Sequence, residues 1–424
     1  MDSKDTQPES NDRRDFLINT GRAAGGVAAL GASLAAAPAA AAPASSKGKK
    51  GSTVPLNWKE VFFTNCPMVS ANNIDQELGW CKTDFKHMGV DYSYFRSRRE
   101  NDWYPHYIHN LDNLIRFGGL YPPIEVHADI RRTRLLGATM VYEGGAMLVR
   151  ADDPIYRMED LRGKKIGLSK SLNTIKNDWW RINEHMGINS MLRVHDMTMD
   201  DVKIVEFPYP DDWYDDPAMM DPILNPTDVW GRRDHKHDLA FRPLETALLE
   251  GKIDAIYTLS KVFQHLQEDT GRIKAIEDLS RYPDWTLQVA NTPAVITCTD
   301  VMAEEHPELV VTYMKAMIKV GRWANEHKRA ASVILDRQTF YRDPEDTYQG
   351  IKDVDMVPNL SPQNIACVEI GKNFMLKNGY IKNDFDVKKW AAPEFLEQAV
   401  KELVEERWSK IQKEKLAGSK GRLG

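Results

Sequence analysis

Four cysteines, Cys66, Cys81, Cys298 and Cys367, are the side chains of this 424-residue chain best suited to covalent chemistry. They are widely spaced and form no CxxC pair, so three full pairings are open, and in an oxidising compartment one or two disulfides are the default. Cys66 stands in Asn65-Cys66-Pro67, directly after the apolar run Val61–Thr64. By type it is a reactive thiol, half of a disulfide or a small buried apolar residue. His106 sits among aromatics in Trp103-Tyr104-Pro105-His106-Tyr107, where an imidazole can move protons or simply pack. A guanidinium such as that of Arg116 offers forked donors to an oxyanion, or pairs with Asp112 four residues back on a helix face. The neighbouring Gly118-Gly119 reads as a turn or as backbone that can approach a ligand closely. His235-Lys236-His237, flanked by Asp234 and Asp238, has metal-ligand residue types, but a charged loop accounts for it better, and Lys164-Lys165 is a solvated turn. The chain has no Walker loop, Rossmann glycine pattern or HExxH stretch, so neither cofactor nor catalytic metal is expected.

These residues must be held by an α/β framework. Strand and helix signals alternate, which favours mostly parallel sheets covered by helices. Val61–Thr64 and Val90–Phe95 read as strands, and the apolar run Thr139–Val149 is broken by Gly144-Gly145. The stretch Gly145–Ser171 reads as strand, turn and strand, with a helix expected to start at Ser169-Lys170-Ser171. Glu245–Thr258 reads as helix, Gly turn and strand. Glu304–His327 reads as a helix whose Val310, Tyr313, Met314, Met317 and Gly321 form a core-packing stripe. Tyr209–Asp238, rich in Asp, Pro and Trp, reads as a long loop of the kind that often serves as a lid.

Gly145–Ser171 resembles the passage between lobes in type II periplasmic solute-binding proteins, and the likeness extends over nearly the whole chain beyond the N-terminal segment. It implies a two-lobed α/β fold, each lobe a mostly parallel sheet flanked by helices, with ligand in the cleft at the carboxyl ends of strands. The lobes would comprise residues 55–147, 148–287 and a return to the first lobe over 288–424. Within that fold FTNCP (Phe63–Pro67), RFGGLYPP (Arg116–Pro123), RTRLLGAT (Arg132–Thr139) and WAAPEFL (Trp390–Leu396) resemble the aromatic sulfinate desulfinases. The resemblance implies a catalytic set of Cys66, His106 and Arg116. Arg116 would orient a sulfinate, helped by the amides of Gly118 and Gly119. Cys66 beside His and Arg would have a lowered pKa and form a thiolate. It would then attack sulfur, or its thiol would protonate the ring carbon while sulfur leaves, with His106 resupplying the proton. The chain departs from the family between His106 and Arg116, where it reads Tyr-Ile-His-Asn-Leu-Asp-Asn-Leu-Ile, a difference that alters substrate fit before it alters the reaction. A binding protein delivering a small organic anion, a sulfonate or sulfinate, to an ABC-type transporter is the alternative from fold and location.

The N-terminal segment carries an address. Arg13-Arg14-Asp15-Phe16-Leu17 resembles a twin-arginine export signal, followed by the weakly apolar Ala23–Ala37 and small residues at 40–44 that suit cleavage. Residues 1–44 are read as this signal, 45–54 as a linker, and the Lys/Gly-rich tail from Lys413 as frayed. The implied partners are the twin-arginine machinery and a small anion, and the location is the periplasm. A net charge of −6 with both signs mixed along the chain argues against nucleic acid.

Overall fold

The computed structural model describes residues 58–98, 103–141, 144–211, 243–259, 266, 267, 270–290, 292–339 and 341–420. The export signal, the linker and His235-Lys236-His237 lie outside these residues, as does all of the Asp/Trp-rich stretch beyond Asp211.

Two five-stranded sheets organise the chain. The first has the order β2-β1-β3-β10-β4, from β1 (Glu60–Asn65), β2 (Asp91–Tyr94), β3 (Leu114–Gly118), β4 (Thr133–Thr139) and β10 (Ala294–Thr299). The second has the order β7-β6-β8-β5-β9, from β5 (Ala146–Arg150), β6 (Lys165–Ser171), β7 (Lys203–Tyr209), β8 (Ala255–Thr258) and β9 (Ile273–Asp278). In each sheet one strand, β10 or β5, runs antiparallel to both of its neighbours while the other pairings are parallel. Such sheets bury both faces under helices, which explains why β1, β3 and β10 are buried along almost their whole length rather than at alternate residues.

The apolar run across Gly144-Gly145 is two strands in two different sheets. β4 closes the first at Thr139 and β5 opens the second at Ala146. Gly145 is required by packing, because a β-carbon there would lie 2.0 Å from the Tyr257 hydroxyl oxygen. The chain crosses back when β10 inserts between β3 and β4.

Several local expectations shift. β6 runs through Ser171, and the next helix starts only at Trp179, where Asp178 caps it by accepting from the Arg181 amide at 3.1 Å. The stretch read as one helix over Glu304–His327 is two, Asp300–Glu305 and Pro307–Glu326, because a proline disfavours helical backbone at the residue before it. The stripe on the second of these is buried core, and Gly321 brings the helix so close to Met356 that a β-carbon would lie 2.5 Å from its carbonyl oxygen. The last helix continues through Lys420 and does not fray from Lys413. Arg116 lies on a strand, not a helix face, and Asp112 pairs instead with Arg131. All four cysteines are free. The expected disulfides do not form because Cys81, Cys298 and Cys367 are buried on separate elements and the Cys66 sulfur faces a histidine.

The motif WAAPEFL proves to be a clasp. The Trp390 indole donates to the Thr133 hydroxyl at 3.0 Å and the Ala392 amide to the Leu135 carbonyl at 2.9 Å, tying the C-terminal region to β4. Among the described residues no helix is long and apolar enough to cross a membrane.

Candidate active site

Alternation along β1 puts Thr64 and Cys66 on the same side of the sheet, two residues apart. The register then sets Thr64 beside Arg116 on β3 and Arg116 beside Thr297 on β10, a polar row across three adjacent strands. All three of these row residues are fully buried. Unsatisfied, such a row would cost several kcal/mol. It is met instead by the short helix Pro105–Ile108 and the residue that ends it, His109, which takes a left-handed φ of 51°.

This docking builds the site. The Thr64 hydroxyl is 2.8 Å from His106 Nδ1, and His106 Nε2 is 3.1 Å from the Cys66 sulfur. Arg116 Nε donates to the His106 carbonyl at 2.8 Å, Nη2 lies 3.4 Å from His106 Nε2, and Nη1 is buried with no hydrogen-bond partner among the described residues. The His109 Nε2 is 2.9 Å from the Thr297 hydroxyl, and its carbonyl accepts from Arg131 at 2.8 Å. Cys66, His106 and Arg116, fifty positions apart at the extremes, thus meet at the carboxyl ends of β1 and β3. Gly119 contributes its backbone amide to the Cys66 sulfur. A β-carbon at Gly118 would sit 2.7 Å from that sulfur and 3.1 Å from Arg116 Nη2, so only glycine fits.

The backbone of Cys66 is held independently. Asn73, near the start of the helix Ala71–Leu78, donates from Nδ2 to the Cys66 carbonyl at 3.0 Å. Its Oδ1 accepts from Asn65 at 3.0 Å and from the Ser70 hydroxyl at 2.7 Å, and its own carbonyl accepts from Gln338 at 2.9 Å. Ser70 also caps this helix. Pro67 and this clamp fix the turn that presents the thiol. Cys66 is the one cysteine of the four that keeps solvent exposure.

The electrostatics correct one expectation. Burial pushes the Cys66 thiol above its ordinary range; the Arg116 charge and the Gly119 amide act in the opposite direction but do not reverse it. Burial and the nearby guanidinium hold His106 well below the usual histidine value. Arg116 is lowered to about 10 by burial and so keeps its charge near neutrality. The resting site is therefore a neutral thiol, a neutral imidazole and a guanidinium, not the thiolate expected from the neighbours' charges. In a catalytic triad a carboxylate fixes the imidazole tautomer. Here a hydroxyl stands behind it, and Thr64 can either donate to Nδ1 or accept from it.

Thr64, Asn73, Thr297 and His109 escaped the reading of the sequence. Thr64 was accessible in principle, since a strand residue two before Cys66 shares its face. Thr297 and His109 carried no such signal, being 188 positions apart.

A pair of sheets of this topology, with a site at the carboxyl ends of the strands, is the fold of the periplasmic binding proteins. Among solved structures, SsuA, a periplasmic sulfonate-binding protein from Methylobacillus flagellatus KT, superposes with a TM-score of 0.54 at 17% identity, covering 82% of this chain and 95% of its own. The chain is more similar to the 2'-hydroxybiphenyl-2-sulfinate desulfinase of Rhodococcus erythropolis, with which it is 26% identical over 361 residues, 80% of this chain and 93% of the relative. The structure of a cysteine-to-serine variant of the desulfurization enzyme DszB in complex with biphenyl-2-sulfinic acid superposes with a TM-score of 0.61 at 23% identity, covering 81% of this chain and 99% of that one. No protein-family model matches the chain.

Proposed function

We propose that this protein is a desulfinase that cleaves the carbon–sulfur bond of an aromatic or related organic sulfinate and releases sulfite, with Cys66, His106 and Arg116 as its catalytic residues. The observation that carries the reading is the meeting of the one cysteine that is partly exposed, an imidazole 3.1 Å from its sulfur and a buried guanidinium in a chain whose relative is named for this reaction. In this reading Arg116 presents its unpartnered Nη1, with Nη2, to the two sulfinate oxygens, beside the Gly119 amide that faces the Cys66 sulfur.

The neutral thiol favours proton donation over attack by a preformed thiolate. In the first step the sulfur–hydrogen bond of Cys66 breaks and its proton bonds to the ring carbon that bears the sulfinate. The carbon–sulfur bonding pair returns to the ring, and sulfur departs as sulfur dioxide. The thiolate left behind is stabilised by the Arg116 charge, by the Gly119 amide and by His106 Nε2–H once Thr64 turns its hydroxyl toward Nδ1. Water adds to sulfur dioxide to give hydrogen sulfite and one proton, and that proton restores the thiol. The sum is sulfinate plus water giving arene plus hydrogen sulfite.

Sulfite release from a panel of aryl and alkyl sulfinates, by the parent protein and by Cys66→Ser, tests the reading. Sulfite from the parent and none from the variant is the expected result. Tight binding without turnover, unchanged by Cys66→Ser, would replace it with a receptor for a small organic anion. Arg13-Arg14 and the segment after it further support export through the twin-arginine pathway to the periplasm. Cell fractionation checks this: replacing both arginines by lysine should leave the protein in the cytoplasm, and unchanged export would refute it.

A further inference from the structure

A buried ion pair from the second sheet ends against the neighbour of the site histidine. Lys176 comes shortly after β6 and Asp211 shortly after β7, at the carboxyl ends of two adjacent parallel strands. Their side chains pair directly and are almost wholly shielded from water. The Ser171 hydroxyl, at the end of β6, donates to the same Asp211 oxygen at 2.8 Å and accepts from the Asn173 amide at 3.1 Å. Asn173 Oδ1 accepts from the Ile175 amide at 2.9 Å, which fixes the turn that carries Lys176. A buried pair of this kind is weak evidence for stability, because apolar side chains of similar volume serve as well. Its placement gives it another use.

The Lys176 ammonium stands 4.9 Å from the centre of the Tyr107 ring, within range of a cation–π contact. The Tyr107 ring is in turn 4.9 Å from the His106 ring and inclined to it by 82°. The same turn reaches Tyr104, whose hydroxyl oxygen accepts from Asn173 Nδ2 at 3.4 Å. Tyr107 and His106 belong to the four-residue helix Pro105–Ile108, too short to hold its own shape, so outside contacts must orient it. Thr64 and Cys66 meet the two nitrogens of the imidazole. Hydrogen bonds there lie in the ring plane and leave the ring able to rock about the line joining them. A nearly perpendicular neighbour, itself held in place, resists that rocking. Burial is the main force keeping His106 neutral, and the Arg116 and Lys176 charges act in the same direction.

We infer that Lys176, anchored by Asp211, is a positioning residue that holds Tyr107 against His106 and so keeps the imidazole in line with the Cys66 sulfur. The step it serves is the one in which Cys66 gives up its proton and His106 Nε2–H stabilises the thiolate. A tilted ring loses that bond while Arg116 still holds the sulfinate, so the loss falls on turnover and not on binding. The second sheet thereby supports the chemistry through Tyr107. The inference rests on the desulfinase reading for the reaction that is measured.

The test is steady-state sulfite release by the parent, Lys176→Met, Tyr107→Leu and Lys176→Met/Tyr107→Leu, each checked for folding by a thermal melt. Each single change should lower kcat about tenfold with KM within about twofold, the scale of one desolvated cation–ring contact. Both act through the same contact, so the double variant should lose no more than Tyr107→Leu alone, whereas independent effects would multiply to about a hundredfold. Should Lys176→Met misfold with Asp211 left unpaired, Lys176→Met/Asp211→Asn removes the stranded charge and takes its place in both arms. Unchanged kcat on loss of the lysine, a KM effect as large as the kcat effect, or a multiplicative loss in the double variant would each overturn the positioning role and leave the desulfinase reading standing. No sulfite from the parent would overturn that reading itself, and the positioning role with it.

Discussion

Gly118→Ala is the smallest change that should disable the site. The added carbon would lie 2.7 Å from the Cys66 sulfur, 3.1 Å from Arg116 Nη2 and 3.2 Å from Arg116 Cζ. Carbon and sulfur need about 3.7 Å, so relief requires roughly 1 Å of movement, within the density of a packed interior. The guanidinium cannot supply it cheaply, because Arg116 is fully buried and its Nε is bonded to the His106 carbonyl. The sulfur must therefore swing away from His106 and from the Gly119 amide. Overpacking of this kind costs about 1–3 kcal/mol of stability. A 1 Å misplacement of a reacting group costs about 100-fold in rate, which corresponds to about 2.7 kcal/mol of activation free energy. Sulfite release would be measured by steady-state kinetics, with a thermal melt to show that the variant is folded. A folded Gly118→Ala protein with kcat/KM within about threefold of the parent would refute the claim that sulfur and guanidinium must sit where they do.

Three further outcomes follow from the same geometry. Arg116→Lys keeps a positive charge but loses the fork and the bond to the His106 carbonyl, so kcat/KM for a sulfinate should fall by about tenfold or more; an unchanged value would show that charge alone suffices. Asn73→Ala should lower kcat about tenfold with little change in KM, since Asn73 holds the Cys66 carbonyl and touches no ligand-facing group; equal loss in both parameters would mark a general structural defect. Because His106 is held neutral, the unfolded chain takes up this proton at higher pH than the folded one, so the residue drains stability as pH falls below about 6.5. Melting curves of His106→Gln against the parent should therefore shift in the variant's favour from neutral toward acid pH, and a constant difference across that range would contradict a depressed histidine.

The partial pKa disagreement with the sequence reading has a plain cause. Charged neighbours were legible in the motifs, and they do act on Cys66 in the expected direction. Burial was not legible, and desolvation of the thiolate outweighs a single guanidinium and one amide. The same limit hid the polar row beneath the site, because the register that aligns Thr64, Arg116 and Thr297 belongs to no single segment.

What the amino-acid order determined by itself was local: strand-like apolar runs, the glycines that fit only tight backbone, and the motifs Asn-Cys-Pro and Arg-Phe-Gly-Gly. These depend on steric and hydrophobic preferences of a few neighbouring residues, so they can be read without coordinates. Tertiary structure decided the rest: that Gly144-Gly145 separates two sheets, that β10 returns to the first of them, that the cysteines remain unpaired, and that Thr64 and Asn73 support the thiol. Those outcomes depend on which distant strands become neighbours and on how much water they exclude, and both are properties of the packed molecule.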